Sequence, residues 1–109
     1  MQPRILKKYI TTSGICPFDS WLSSLKDKRT KAIIATRLNR LIQGNFGSCK
    51  KLGAIWELKI NFGPGFRVYF GEEGKEIVIL LTCGDKSTQS DDIEKAKACW
   101  RDYLEDENE

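Results

Sequence analysis

The chain of 109 residues contains no histidine, so any proton transfer it performs must use Lys, Arg, Tyr, Asp, Glu or Cys. Its four cysteines, Cys16, Cys49, Cys83 and Cys99, are widely spaced and form no C-x-x-C pair. Zinc sites draw on closely spaced Cys and His, so the sequence holds no metal-binding pattern. The cysteines read as reduced, small packing residues. No apolar run approaches the ~20 residues that span a bilayer, and the longest, Ile77 to Leu81, has the length of a strand. The N-terminal residues lack the apolar stretch of a signal peptide, which sets a cytoplasmic location as the expectation. Internal repeats, low-complexity stretches and linkers are missing too. The length suits one domain, 1–109, with one core.

What is present is an ordinary globular balance, 40% hydrophobic and 30% charged residues, which excludes a disordered chain. The net charge of +3 conceals an asymmetry. Residues 1–60 carry 12 Lys and Arg against 3 Asp and Glu, a balance of +9; residues 61–109 carry 6 against 12, a balance of −6. A basic half points to an anionic partner, of which nucleic acid is the commonest. A solvated basic helix with a neutralising acidic tail would give the same count.

Ile5 to Thr11 reads as a first strand, rich in β-branched and aromatic residues. Pro17 suits a first helical position, and Phe18, Trp21, Leu22 and Leu25 follow at i, i+3, i+4 and i+7 on one helical face. Asp27 is an N-cap for a second helix, striped by Ile33, Ile34, Leu38, Leu41 and Ile42 and stopped by Gly44. The two helices read as a helical hairpin. From Ala54 the period changes to two. Trp56, Leu58, Ile60 and Phe62 alternate with Ile55, Glu57, Lys59 and Asn61, and after the turn Gly63-Pro64-Gly65, Phe66, Val68 and Phe70 alternate with Arg67 and Tyr69. Glu76 to Cys83 is almost wholly apolar and belongs at the sheet centre, covered on both faces. Asp91 and Glu94 have the spacing of a capping box for a last helix, striped by Ile93, Ala96, Trp100, Tyr103 and Leu104. Glu105 to Glu109 is an acidic, fraying tail. The order βααβββα, with mostly antiparallel strands, is α+β.

A hairpin closed at Gly63-Pro64-Gly65 with Phe62 opposite Phe66 pairs Ile60 with Val68 and Leu58 with Phe70, an apolar wall. The other face then carries Asn61 opposite Arg67 and Lys59 opposite Tyr69, with Glu57 one step down. Such a face is either an ordinary solvated surface or a phosphate-binding platform, with Arg as a bidentate donor, Lys as a mobile cation and Tyr as a stacking ring. The chemistry suited to it is RNA cleavage by the ribose 2′-hydroxyl, which needs no metal-bound water. The protein stabilises the charge of the transition state and moves two protons, with a Lys or Tyr69 as the candidates. Arg37 and Arg40 on the second helix are further RNA contacts, or else part of a solvated face. Trp21, Trp56 and Trp100 lie on apolar stripes and belong to the core. Gly63-Pro64-Gly65 lacks the strand–loop–helix setting of a phosphate-binding loop, and Asp91, Asp92 and Glu94 suit a helix N-terminus.

The segments L-I-Q-G-N-F-G (41–47), W-E-L-K-I-N-F-G-P-G-F-R-V-Y-F (56–70) and G-D-K-S-T-Q-S-D-D-I (84–93), with the opening F-D-S-W-L-S-S-L-K-D-K (18–28), resemble the phage-type, HigB-like addiction module killer proteins of the RelE/ParE superfamily. The likeness runs from about Ile5 to Trp100. It implies an antiparallel sheet with helices packed on one face. It also implies the toxin of a type II toxin–antitoxin module, acting without a cofactor as a ribosome-dependent mRNA endonuclease that inhibits translation. The implied partners are the ribosome, mRNA and an antitoxin, often with a helix-turn-helix domain. Position by position, Arg67 matches a phosphate-binding arginine, Lys59 stands where relatives usually have Arg, and Lys86 matches a basic residue before the last helix. Gln89 of the same loop and Glu57 and Asn61 of the hairpin complete the expected RNA contacts. Two alternatives share the fold. One is a ParE-like gyrase poison acting by protein binding, and the other is an inactive relative that only binds an antitoxin.

Overall fold

A computed structural model describes residues 3–107 of the chain. Its elements run β1 (Ile5–Lys8), α1 (Pro17–Ser24), α2 (Lys28–Ile42), β2 (Cys49–Leu52), β3 (Ile55–Ile60), β4 (Phe66–Glu73), β5 (Ile77–Asp85), a 3-10 turn (Lys86–Thr88) and α3 (Gln89–Glu107). The class is α+β, with one five-stranded sheet in the order β1-β5-β4-β3-β2. Two features depart from the expected βααβββα antiparallel layout. β2 is an additional strand, paired antiparallel to β3 from Cys49↔Leu58 to Leu52↔Ile55. Its sequence, Cys-Lys-Lys-Leu, has no β-branched residue, so the edge of β3 rather than local preference makes it a strand. β1 runs parallel to β5, from Ile5↔Ile77 to Lys8↔Leu80, which makes the sheet mixed.

Local signals place the helices as expected. Pro17 opens α1. The Asp27 carboxylate accepts from the Arg29 amide at 3.0 Å, satisfying a donor that a helix start leaves free, and also accepts from Thr30 Oγ1 at 2.8 Å. α2 ends at Ile42, and Gly44 follows at φ +89°. The start of α3 differs from expectation. Asp85, not Asp91, is the capping residue: its carboxylate accepts from the Ser87 amide at 2.8 Å and opens the 3-10 turn that leads into α3. Asp91 and Asp92 fall in the first turn of α3, where carboxylates favour the helix dipole. Of the expected acidic tail 105–109, residues 105–107 continue α3, and the last two lie outside the described residues.

The sheet is covered on both faces, rather than one. α1 and α2 cover one face, where Phe18, Ile34, Leu38 and Leu41 meet Leu58, Val68, Phe70, Val78 and Leu80. α3 covers the other, where Ala96 and Trp100 meet Tyr9, Ile55, Tyr69, Ile79 and Leu81. The three tryptophans pack against these clusters. A register shift in β5 opposite Tyr69 and Phe70 leaves Leu81 without a partner in β4. Beyond that bulge the strand changes phase, so Cys83 joins the α1/α2 side while Gly84 meets α3.

Two glycines let α3 approach the sheet. A Cβ at Gly71 would lie 2.3 Å from the Trp100 ring, and one at Gly84 would lie 1.9 Å from the Asp92 carboxylate. Gly71→Ala is therefore expected to lower the unfolding free energy by about 1–3 kcal/mol, the range for overpacked cores. Urea unfolding followed by tryptophan fluorescence measures it, and an unchanged midpoint would show that α3 can lift off at no cost.

Candidate functional site

The β3–β4 hairpin closes differently from the sequence-based register. The pairs are Ile60↔Phe66, Lys59↔Arg67, Leu58↔Val68, Glu57↔Tyr69 and Trp56↔Phe70, two positions along from those expected. Asn61 to Gly65 forms a longer loop, closed by Phe62 N–H to Ile60 O and Gly65 N–H to Phe62 O, both at 3.0 Å. Phe62 turns in against the α1/α2 cluster instead of pairing with Phe66, and the Arg29 guanidinium lies 5.5 Å from its ring centre. Because side chains alternate with period two, a two-position shift leaves each residue on its expected face. It does, however, set Lys59 beside Arg67 and Glu57 beside Tyr69.

That face is not an open platform. The beginning of α3 lies over its inner part. Tyr69 is 0% exposed, and Glu57 and Arg67 are each 5% exposed. Gln89 Nε2 donates to Glu57 Oε2 at 2.9 Å, and Arg67 Nε stands 3.9 Å from the same oxygen. The Tyr69 hydroxyl is within electrostatic reach of Glu57 but closes no hydrogen bond of ordinary geometry with the described residues. Burial, reinforced by the Glu57 charge, pushes the Tyr69 phenol well above its ordinary value. Tyr69 is therefore neither a stacking ring nor a reachable acid or base, which corrects the expectation for it. Glu57 and Gln89 brace Arg67 from behind rather than presenting themselves to a ligand.

At the outer end of this face the structure gathers the other expected residues. Lys59, Asn61, Arg67 and Lys86, with Phe62, Gly63, Pro64 and Gly65, line one polar cleft of about 300 Å³. Lys59 and Asn61 are exposed, as is Lys86, which follows the end of β5. The Lys86 amide donates to Gly65 O at 3.0 Å, tying the 3-10 turn to the hairpin tip. Asp85 holds that turn from within. Its carboxyl is lowered by the Ser87 hydroxyl, and the Arg67 charge adds a smaller effect. Thr88 Oγ1 donates to Asp92 Oδ2 at 2.5 Å, and Asp92 rests on Gly84. Sequence reasoning missed this clamp, although a Thr-x-x-x-Asp pair, Thr88 and Asp92, following Asp85 was there to find.

Arg67 is the chemically unusual member. Among the described residues its guanidinium makes one long hydrogen bond, Nη1 to Gly65 O at 3.4 Å, and its buried Nε–H has no partner. A guanidinium carries five donors, so this one reaches the cleft wall with most of its capacity unspent. Three cations around a small polar cleft suit an anion with several oxygens, such as a phosphate. Arg37 and Arg40 are not part of this cleft: they lie with Arg29 on a separate groove along α2.

The four cysteines are free. Burial pushes the Cys49 thiol up to about 11 and raises Cys83 and Cys99 as well, which leaves them unreactive. Among the described residues no group of His, Cys, Asp or Glu could hold a metal ion, and no helix is long and apolar enough to cross a membrane.

No family model matches the chain. An uncharacterized protein of Haemophilus influenzae (strain ATCC 51907 / DSM 11121 / KW20 / Rd) is 53% identical to it over 81 residues, which cover 73% of this chain and 82% of that protein.

The burial of Tyr69 has a measurable sign. A phenol whose affinity for its proton is higher folded than unfolded supports the fold below ~10, the ordinary tyrosine value, and loses that support as pH rises beyond it. The urea midpoint of the wild type is expected to fall between about pH 9 and 11, and to fall less in Tyr69→Phe. Equal falls in the two proteins would mean that the Tyr69 phenol is open to solvent.

Proposed function

We propose that this chain, which belongs to one family with the uncharacterized Haemophilus influenzae protein, is the toxin of a type II toxin–antitoxin pair and a ribosome-dependent mRNA endonuclease. The observation that carries the reading is the under-satisfied, buried Arg67 in a cleft walled by Lys59 and Lys86. The likeness to HigB-like toxins of the RelE/ParE superfamily, drawn from segments 41–47, 56–70 and 84–93, points to the same residues. On this reading the protein works in the cytoplasm, where ribosomes and messages are, and its neutralising partner is a helix-turn-helix antitoxin.

The scissile phosphate sits in the cleft with its oxygens on Arg67 and between the two lysines. The 2′-hydroxyl of the preceding ribose attacks phosphorus, and the bond to the 5′-oxygen breaks, leaving a 2′,3′-cyclic phosphate and a free 5′-hydroxyl. Arg67 already occupies its place, held by Glu57 and the Gly65 carbonyl, so it stabilises the added negative charge with little rearrangement. The chain has no histidine and Tyr69 is enclosed, so delivery of a proton to the leaving oxygen falls to Lys59 or Lys86. The 2′-hydroxyl proton passes to water. Asn61, at the cleft edge, offers an amide to a neighbouring base or ribose.

Induced expression in bacteria, with growth recorded and mRNA 5′ ends mapped, tests the reading. Wild type is expected to stop growth and to leave new ends within translated messages. Arg67→Ala and Lys86→Ala should cut cleavage about 10²–10³-fold, the usual loss when one transition-state donor is removed. Tyr69→Phe should still cleave. Growth arrest with intact messages and damaged DNA would replace this reading with a gyrase poison, and absence of arrest would leave only antitoxin binding.

A further inference from the structure

A second concavity lies along α2, and the chemistry above does not use it. Arg29, Ala32, Ile33, Thr36, Arg37 and Arg40 line a groove of about 350 Å³. They form one helical stripe about 17 Å long at 1.5 Å per residue. α2 contains no Asp or Glu, and among the described residues none of the three arginines is in an ion pair. Two of them are held in place by other means. Arg29 lies over the Phe62 ring, and the Arg37 guanidinium rests against Gly47, where even a Cβ would come within 2.7 Å of it.

The two concavities differ in character. The cleft presents ammonium, guanidinium and amide groups beside the Phe62–Gly65 loop. The groove has a floor of Ala32 and Ile33 between guanidinium groups. A phosphodiester chain gains little from an apolar floor. A helix with a narrow apolar seam and carboxylates on its flanks gains from both parts, since planar guanidinium groups grip carboxylates in bidentate fashion and an apolar stripe is the usual anchor of a helix in a groove.

We propose that the α2 groove is a docking site for an acidic amphipathic helix of a partner protein, its small apolar residues on Ala32 and Ile33 and its carboxylates on Arg29, Arg37 and Arg40. The groove ends at Arg29, and Arg29 packs on Phe62, which also lines the cleft. A helix seated there therefore reaches the rim of the cleft without entering it. The inference stands apart from the nuclease reading, because it depends on charge and shape along α2 alone.

Amide NMR titration of the full, isotope-labelled chain tests it with three probes. They are a synthetic amphipathic peptide of about 18 residues with Glu flanking an Ala/Leu seam, the same peptide with Gln for Glu, and a short oligouridylate. The Glu peptide is expected to shift the amides of residues 29–40. Its affinity should fall about tenfold with the Gln peptide, and by a similar factor in Arg37→Gln/Arg40→Gln, since two or more exposed charge pairs, each worth up to about 1 kcal/mol, are lost together. Arg40 is exposed and Arg37 half-buried, and an unchanged urea midpoint of the double variant confirms its fold. The oligouridylate should shift Lys59 and Lys86 instead. The proposal is overturned if the Glu peptide leaves residues 29–40 unmoved at millimolar concentration, or binds no better than the Gln peptide. It is also overturned if the oligouridylate shifts 29–40 and loses affinity in the double variant, which would make α2 a nucleic-acid surface. Self-association abolished by that variant, seen by sedimentation, would make a second copy the occupant.

Discussion

A guanidinium placed inside a protein gives up hydration that a single carboxylate repays only in part. Arg67 is in that position, and the surrounding structure is organised about it. Glu57, directly across from Tyr69 on β3, supplies the opposing charge at 3.9 Å, too far for a direct hydrogen bond. Gln89, at the start of α3, donates to the same Glu57 oxygen. The hairpin loop turns its Gly65 carbonyl to Arg67 and also receives the Lys86 amide. Four separate segments therefore meet on one ion pair. The pair is incomplete on the side that faces the cleft, where a donor with unspent capacity is of chemical use.

The packing of α3 makes this arrangement rigid. Trp100 sits on Gly71 and Asp92 on Gly84, so the helix is pressed to the sheet at two points with no Cβ between. The bulge in β5 is what brings Gly84 to the α3 side, and with it the turn that carries Lys86. At the other end, Tyr103 stacks on Trp100 at 5.6 Å, and Tyr9 donates to Asp102 at 2.5 Å, fixing the far half of the helix over β1 and β5. The cleft lies at the edge of a closely packed region, so the side chains that form it have little freedom to drift.

The sequence made most of this legible where local chemistry dominates. Asp27 and Gly44 bound α2 as their residue types predict, and period two in 55–70 separated the two faces of the hairpin despite the wrong register. Lys59, Asn61, Arg67 and Lys86 were named from sequence, and they share one cleft. The failures all come from tertiary contacts. β2 exists because β3 has a free edge, not because Cys-Lys-Lys-Leu prefers to extend. Tyr69 and Glu57 looked solvated because nothing local announces that α3 crosses back over them. Asp91 looked like a cap because its spacing to Glu94 is right, yet the 3-10 turn moved the start of the helix to Gln89 under the control of Asp85. Arg37 and Arg40 lie on α2, the helix on which the sequence placed them, and their groove is separate from the cleft.

The parallel pairing of β1 with β5 sets a temporal order on the molecule. Ile5 meets Ile77, 72 positions further along the chain, and contacts between such distant segments are late and slow to form. During synthesis β1 has no place to go until β5 has been made, and Tyr9 waits longer still for Asp102. The β3–β4 hairpin, by contrast, pairs residues that are neighbours in the chain. A nascent chain can thus hold Arg67 beside Lys59 well before α3 encloses Glu57 and Tyr69 behind them. The finished cleft is one of the last features to appear, so a partially synthesised protein carries the cations but not the wall that steadies them.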